Sequence, residues 1–162
     1  IYSFWSKRYT LHSTLLGAIS GAMPPLVGYC AVRGEIDTGA VLIFLILSAW
    51  QFPHALSIAI YRLKDYTAAK VPVLPVSRGV RFTKKYILVT SALLTLLVPL
   101  LTFFGYTGFI YLGVMLSLCI YATFVSIQGF YSKDDVAWGR RLFLLSVAII
   151  FAFSVLIAFD FQ

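Results

Sequence analysis

Residues 49–66 read AWQFPHALSIAIYRLKDY. They close a long apolar run that begins near residue 38, and they end on Tyr61, Arg62, Lys64, Asp65 and Tyr66. Trp50, Pro53 and His54 lie inside the run itself. A hydrocarbon layer about 30 Å thick is crossed by ~20 apolar residues of helix. The stretch therefore reads as the second half of a membrane-spanning helix with ionisable groups crowded at its mouth.

The rest of the chain agrees. Of 162 residues, 60% are hydrophobic and 12% are charged, where a soluble domain carries about 25% charge. The apolar runs are too many to be one signal peptide. The class is all-α integral membrane, with the lipid bilayer as its solvent. The chain opens on Ile1 and turns polar at once, so it is expected to be part of a longer protein, cut on its N-terminal side. Cys30 and Cys119 fall in apolar runs and read as small core residues, with no disulfide framework and no zinc motif.

Five spans are expected, at about 11–31, 38–61, 86–104, 106–130 and 142–160. In the first, Gly17 and Gly21 have the spacing that lets helices approach closely, and Pro24 and Pro25 are expected to interrupt its hydrogen-bond ladder. Five spans make the connections alternate sides. Two, seven and three basic residues then fall on one side and Arg33 alone on the other. By the positive-inside rule the first side is cytoplasmic. The net charge of +7 is accounted for by orientation and headgroup contact, with no nucleic acid. The 62–85 connection is the longest and most basic, with Asp65 as its one acid, and is the natural place for function.

On a helix of about 100° per residue, Trp50, His54, Ser57, Tyr61 and Asp65 share a face ~80° wide. Simpler roles exist for most of them. His54 suits a hydrogen bond to another helix, Tyr61 and Tyr66 suit interface anchoring, and Arg62 and Lys64 suit charge orientation. Asp65 is harder to absorb that way, because ionisable groups at membrane depth mark function. A carboxylate among cations can hold Mg²⁺ shared with substrate phosphates, while Arg clamps phosphate oxygens. The combination reads as a diphosphate site above an apolar cavity for an isoprenoid tail. Trp50 and Tyr61 could stabilise an allylic cation through their ring faces. One Asp is few for this task, so a second acidic cluster is expected elsewhere.

At this point the residues resemble a known signature. Trp50, Gln51, Pro53, His54, Ala59, Tyr61, Arg62, Asp65, Tyr66, Ala69, Pro72, Leu74, Pro75 and Val76 match the haem-farnesylating branch of the UbiA-type intramembrane prenyltransferases. Upstream, Tyr2, Lys7, Arg8 and Thr10, and then the stretch GAMPPLVG at 21–28, resemble two further motifs of that branch. Ala55, Lys70 and Val73 depart from its usual Phe, Gly and Met.

The resemblance implies a bundle of about nine membrane helices, of which this chain holds the last five. It implies farnesyl transfer from farnesyl diphosphate to the vinyl group of haem B, giving haem O for terminal oxidases directly or after conversion to haem A. Association with haem A synthase or with terminal oxidase assembly would follow. An acidic motif of the family, in an earlier loop, lies outside this chain. Carried onto this sequence, the family's site gives Asp65, Tyr61 and Arg62 catalytic roles, with Asp65 as Mg²⁺ ligand. Arg62, Lys64, Lys7, Arg8, Trp50, His54 and Tyr66 would bind substrates. The location implied is the bacterial inner membrane with the active-site loops cytoplasmic, or the mitochondrial inner membrane. Two other readings stay open: a related enzyme with an aromatic, quinone-precursor acceptor, and a non-enzymatic transporter or anchor subunit.

Overall fold

The computed structural model describes residues 12–160. Five long helices carry the fold: α1 (His12–Arg33), α2 (Thr38–Tyr61), α5 (Val80–Phe103), α6 (Phe109–Gln128) and α7 (Asp135–Asp160). Two short ones, α3 (Leu63–Ala68) and α4 (Leu74–Arg78), lie between α2 and α5, and a 3-10 turn, Gly129–Tyr131, extends α6. Among the described residues, four helices are long and apolar enough to cross a membrane: Thr38–Tyr61, Val80–Phe103, Phe109–Tyr131 and Asp135–Asp160.

α2, α5, α6 and α7 form a ring in which each packs on the next and α7 returns to α2, while α1 packs on α2 from outside. One core runs down the ring, through Ile43, Ile46, Leu94, Val98, Met115, Cys119, Ile149 and Phe153. Lipid supplies no hydrophobic incentive for helices to associate, so close packing and interhelical hydrogen bonds hold such a bundle. Both are present. Ser91 and Ser126 meet at 3.2 Å and Thr95 and Thr123 at 3.0 Å between α5 and α6.

The helices expected at 86–104 and 142–160 begin earlier, at Val80 and Asp135. Hydropathy locates the lipid-crossing part of a helix, whereas its end is set by backbone chemistry. Gly79, at φ +85°, breaks the chain before α5. Asp134 starts α7 by accepting from the amides of Val136 (2.9 Å) and Ala137 (3.0 Å). α1 continues through Pro24 and Pro25, so the expected interruption does not end it. Its Gly21 gives way to a side chain: a Cβ there would collide with the Gln51 amide of α2.

At the α1–α2 turn, Asp37 caps α2 through the Ala40 amide at 2.8 Å and accepts from the Tyr29 hydroxyl at 2.9 Å. At the same end, Asp160 ties α7 to the start of α6. Its carbonyl accepts from Gly108 N–H at 3.0 Å and its carboxylate from Tyr111 N–H at 2.8 Å.

Candidate functional site

The opposite end carries most of the charge and a second core of Leu56, Ile60, Leu74, Ile87, Val125, Trp138 and Leu142. The 62–85 connection is not an open loop. α4 buries Leu74 and Pro75 against the bundle, and α5 is already helical from Val80.

The stripe on α2 is held from α7. Trp50 Nε1 donates to the Ser146 carbonyl at 2.8 Å, and the Trp50 ring stacks on His54 with centroids 4.7 Å apart. His54 Nδ1 lies 2.9 Å from Ser146 Oγ, and the Ser146 hydroxyl donates to the Phe143 carbonyl at 2.6 Å. With its only proton committed, Ser146 Oγ accepts from His54. Nδ1 of His54 therefore carries a hydrogen. Ser57 is fully buried and donates to the His54 carbonyl at 2.8 Å.

The stripe ends at Tyr61. Arg62, at φ −99° and ψ 23°, closes α2 and opens α3, so Asp65 projects from a separate short helix and not from a continuation of α2. Asp65 and Arg62 pair at 3.1 Å with side chains 66% and 57% exposed, and the Arg62 guanidinium lies 5.4 Å from the Tyr61 ring centroid. The hydrogen bond to Asp65 raises the Arg62 pKa still further, which fixes it as a cation. Lys64 is exposed and Tyr66 half-buried on α3. Lys7 and Arg8 lie outside the described residues.

The structure thus separates the expected site residues into two groups. Trp50 and His54 are locked in the α2–α7 seam. Tyr61, Arg62, Lys64, Asp65 and Tyr66 lie at the mouth, several of them open to solvent. No group of three or more His, Cys, Asp or Glu side chains is gathered among the described residues. Asp65 by itself is one exposed carboxylate, which suits a metal that is otherwise held by waters and substrate phosphates and does not suit a closed protein cage.

Sequence reasoning missed Ser146 and Phe143, which hold His54 from α7. It also missed Lys84. This side chain is buried at the bundle end between Asp135, the Gly129 carbonyl (2.7 Å) and the Trp138 ring (5.3 Å to centroid). The signal for Ser146 was a single hydroxyl in the apolar run 142–150. Lys84 carried none, because it stands in a row of basic residues.

The fold and this mouth define an integral membrane helix bundle with an aromatic seam beneath a cationic, acid-bearing rim. The chain belongs to the UbiA prenyltransferase family, whose profile matches residues 1–158. It is 43% identical over 162 residues to the protoheme IX farnesyltransferase of Pseudomonas savastanoi pv. phaseolicola, covering all of this chain and 55% of that protein. It is 44% identical to protoheme IX farnesyltransferase 2 of Pseudomonas aeruginosa, again over all of this chain and 55% of the relative. For the protoheme IX farnesyltransferase of Yersinia pseudotuberculosis the identity is 42% with the same coverage. The chain therefore spans about half the length of these relatives. No solved structure matches it significantly.

Proposed function

We propose that the full-length protein transfers a farnesyl group from farnesyl diphosphate to a vinyl carbon of haem B, giving haem O and diphosphate. The chain would be the C-terminal part of its single intramembrane domain. The observation that carries this reading is the 42–44% identity, along the whole chain, to relatives named for that reaction. The mouth geometry supports it. Arg62 is a permanent cation at the rim, and Lys64 stands exposed beside it on α3. Both can take phosphate oxygens, Arg62 bidentately once it exchanges Asp65 for substrate.

Asp65 is proposed to supply one carboxylate to Mg²⁺, with further acidic ligands from the half of the protein beyond this chain. Mg²⁺ would neutralise the charge that builds on the departing diphosphate. The allylic C1–O bond breaks and C1 joins the vinyl carbon. Alkylation of the vinyl group would leave a cation beside the macrocycle, which water captures with loss of one proton, supplying the hydroxyl of haem O. The Tyr61 face stabilises positive charge near the rim. Trp50 and His54 are proposed to contact the haem. Lys7, Arg8 and Tyr66 would complete the substrate-binding set. The basic rim would face the cytoplasm, placing the protein in a bacterial inner membrane with its active site on that side.

The test uses the full-length protein in membranes with haem B, farnesyl diphosphate and Mg²⁺, reading the extracted haems by mass. A farnesylated haem that disappears in Asp65→Ala supports the reaction and the metal role together. Product from both proteins removes Asp65 from the mechanism. Prenylation of an aromatic acid in place of haem replaces the acceptor. No transfer by a folded protein ends the enzymatic reading.

A further inference from the structure

Away from the Trp50–His54 seam, an open cleft of ≈ 410 Å³ lies at the charged end between the last turn of α6 and the first turns of α7. Gln128, Tyr131, Ser132, Asp134, Trp138 and Arg141 line it. Two of these are ionic. Arg141 reaches the Tyr121 hydroxyl at 2.5 Å and lies 5.8 Å from that ring's centroid, which leaves most of its five N–H donors uncommitted. Asp134 spends Oδ1 on the α7 cap, leaving Oδ2 outside those two bonds.

Below the mouth the surface changes character. On α6, Tyr121 and Phe124 share a face with Gln128, and on α7, Leu144 shares one with Ala137 and Arg141, by the three-, four- and seven-residue spacing of a helix. Tyr121, Phe124 and Leu144 are 43%, 52% and 56% exposed. The cleft is therefore a polar mouth with one cation and one anion, continued by an apolar track along two membrane helices.

We propose that this cleft holds one phospholipid whose headgroup is a zwitterion with a primary ammonium. Its phosphate pairs with Arg141, its ammonium donates to Asp134 Oδ2, and its acyl chains lie on Phe124 and Leu144. An anionic headgroup without an amine would meet the Asp134 charge unpaired. A trimethylammonium headgroup has no N–H to donate.

The test is native mass spectrometry of the full-length protein, released from detergent after incubation with equal amounts of phosphatidylethanolamine, phosphatidylcholine and phosphatidylglycerol of the same chain length. Hydrogen bonds to charged groups are worth roughly tenfold or more in binding, so one phosphatidylethanolamine should be retained over each of the others by about that factor. Arg141→Gln should lower retention of the bound lipid. Asp134→Asn should erase the preference for ethanolamine over choline while leaving the fold intact, because Asn caps a helix as well as Asp does. Preference for phosphatidylglycerol, equal retention of all three, no retained lipid, or an unchanged preference in Asp134→Asn would each overturn the proposal. If Arg141→Gln fails to fold, the Asp134→Asn comparison decides alone.

Discussion

Lys84 and Asp135 join the first turn of α5 to the first residue of α7, 51 positions apart in sequence. The Lys84 side chain is 8% exposed and that of Asp135 38% exposed, so the lysine bears the greater burial. Its ammonium also donates to the Gly129 carbonyl and sits over the Trp138 ring. A buried cation is tolerated only when so fully partnered.

Removing the anion should therefore harm the fold more than removing the cation. Asp135→Ala leaves a charged ammonium in an apolar setting, and a loss of ~2–4 kcal/mol is expected. Lys84→Met keeps much of the volume and leaves a partly solvated carboxylate, for a loss of about 1–2 kcal/mol. Thermal unfolding of the two variants in the same detergent checks the order. The reverse order would mean that the pair is solvated in the membrane-bound protein.

The Arg62–Asp65 pair predicts the opposite pattern. Both partners are more than half exposed, and water screens such a pair so far that it adds little to stability. Asp65→Ala should leave the melting temperature nearly unchanged while lowering the proposed haem farnesylation by the full-length protein by at least ~100-fold, the scale of a lost electrostatic stabiliser. A large drop in stability would make Asp65 a structural residue.

Asp37 gives a pH dependence. Its carboxyl is held below the usual value of 3.8, first by the Ala40 amide and next, among the stabilising contacts, by the Tyr29 hydroxyl. A carboxyl with a depressed folded-state pKa adds stability that is fully present above its unfolded pKa. That stability is lost as pH falls through the folded value. As pH falls below the unfolded value of 3.8 and on through the lower folded value, the parent should lose unfolding midpoint faster than Asp37→Asn, and the two curves should converge. Parallel curves would remove Asp37 from the acid response.

Lys70 adopts φ +51°, the left-handed region that non-glycine residues enter at a cost of about 1–2 kcal/mol. Lys70→Gly removes that strain but frees the unfolded chain, so a net gain of roughly 0.5–1 kcal/mol is expected. Chemical denaturation of the two proteins decides it, and a loss of stability would show that the lysine makes a compensating contact.

The membrane class was legible at once, because length and apolar content decide it. The helix over 38–61 was legible too, since Asp37 before it and the polar residues after it bound an unbroken apolar run. The starts of α5 and α7 were not. Each lies in a charged segment, and its helicity depends on Gly79 and Asp134. In the site, periodicity placed Trp50, His54 and Ser57 together correctly but carried the same face through to Asp65, where the backbone turns at Arg62. The Ser146 contact to His54 spans 92 positions, and no local pattern encodes it. The resemblance assigned Lys70 to a position usually occupied by Gly, and the backbone there shows why glycine fits.

Asp160 has a consequence for how the bundle is put together. It supplies acceptors to Gly108 and Tyr111, and Tyr111 precedes it by 49 positions. During synthesis the first turn of α6 enters the bilayer with those N–H groups lacking their final acceptors, at a cost of several kcal/mol wherever water is absent. That turn is expected to stay at the watery surface until the far end of α7 is in place to accept from it. α7 therefore sets when α6 can settle to its final depth.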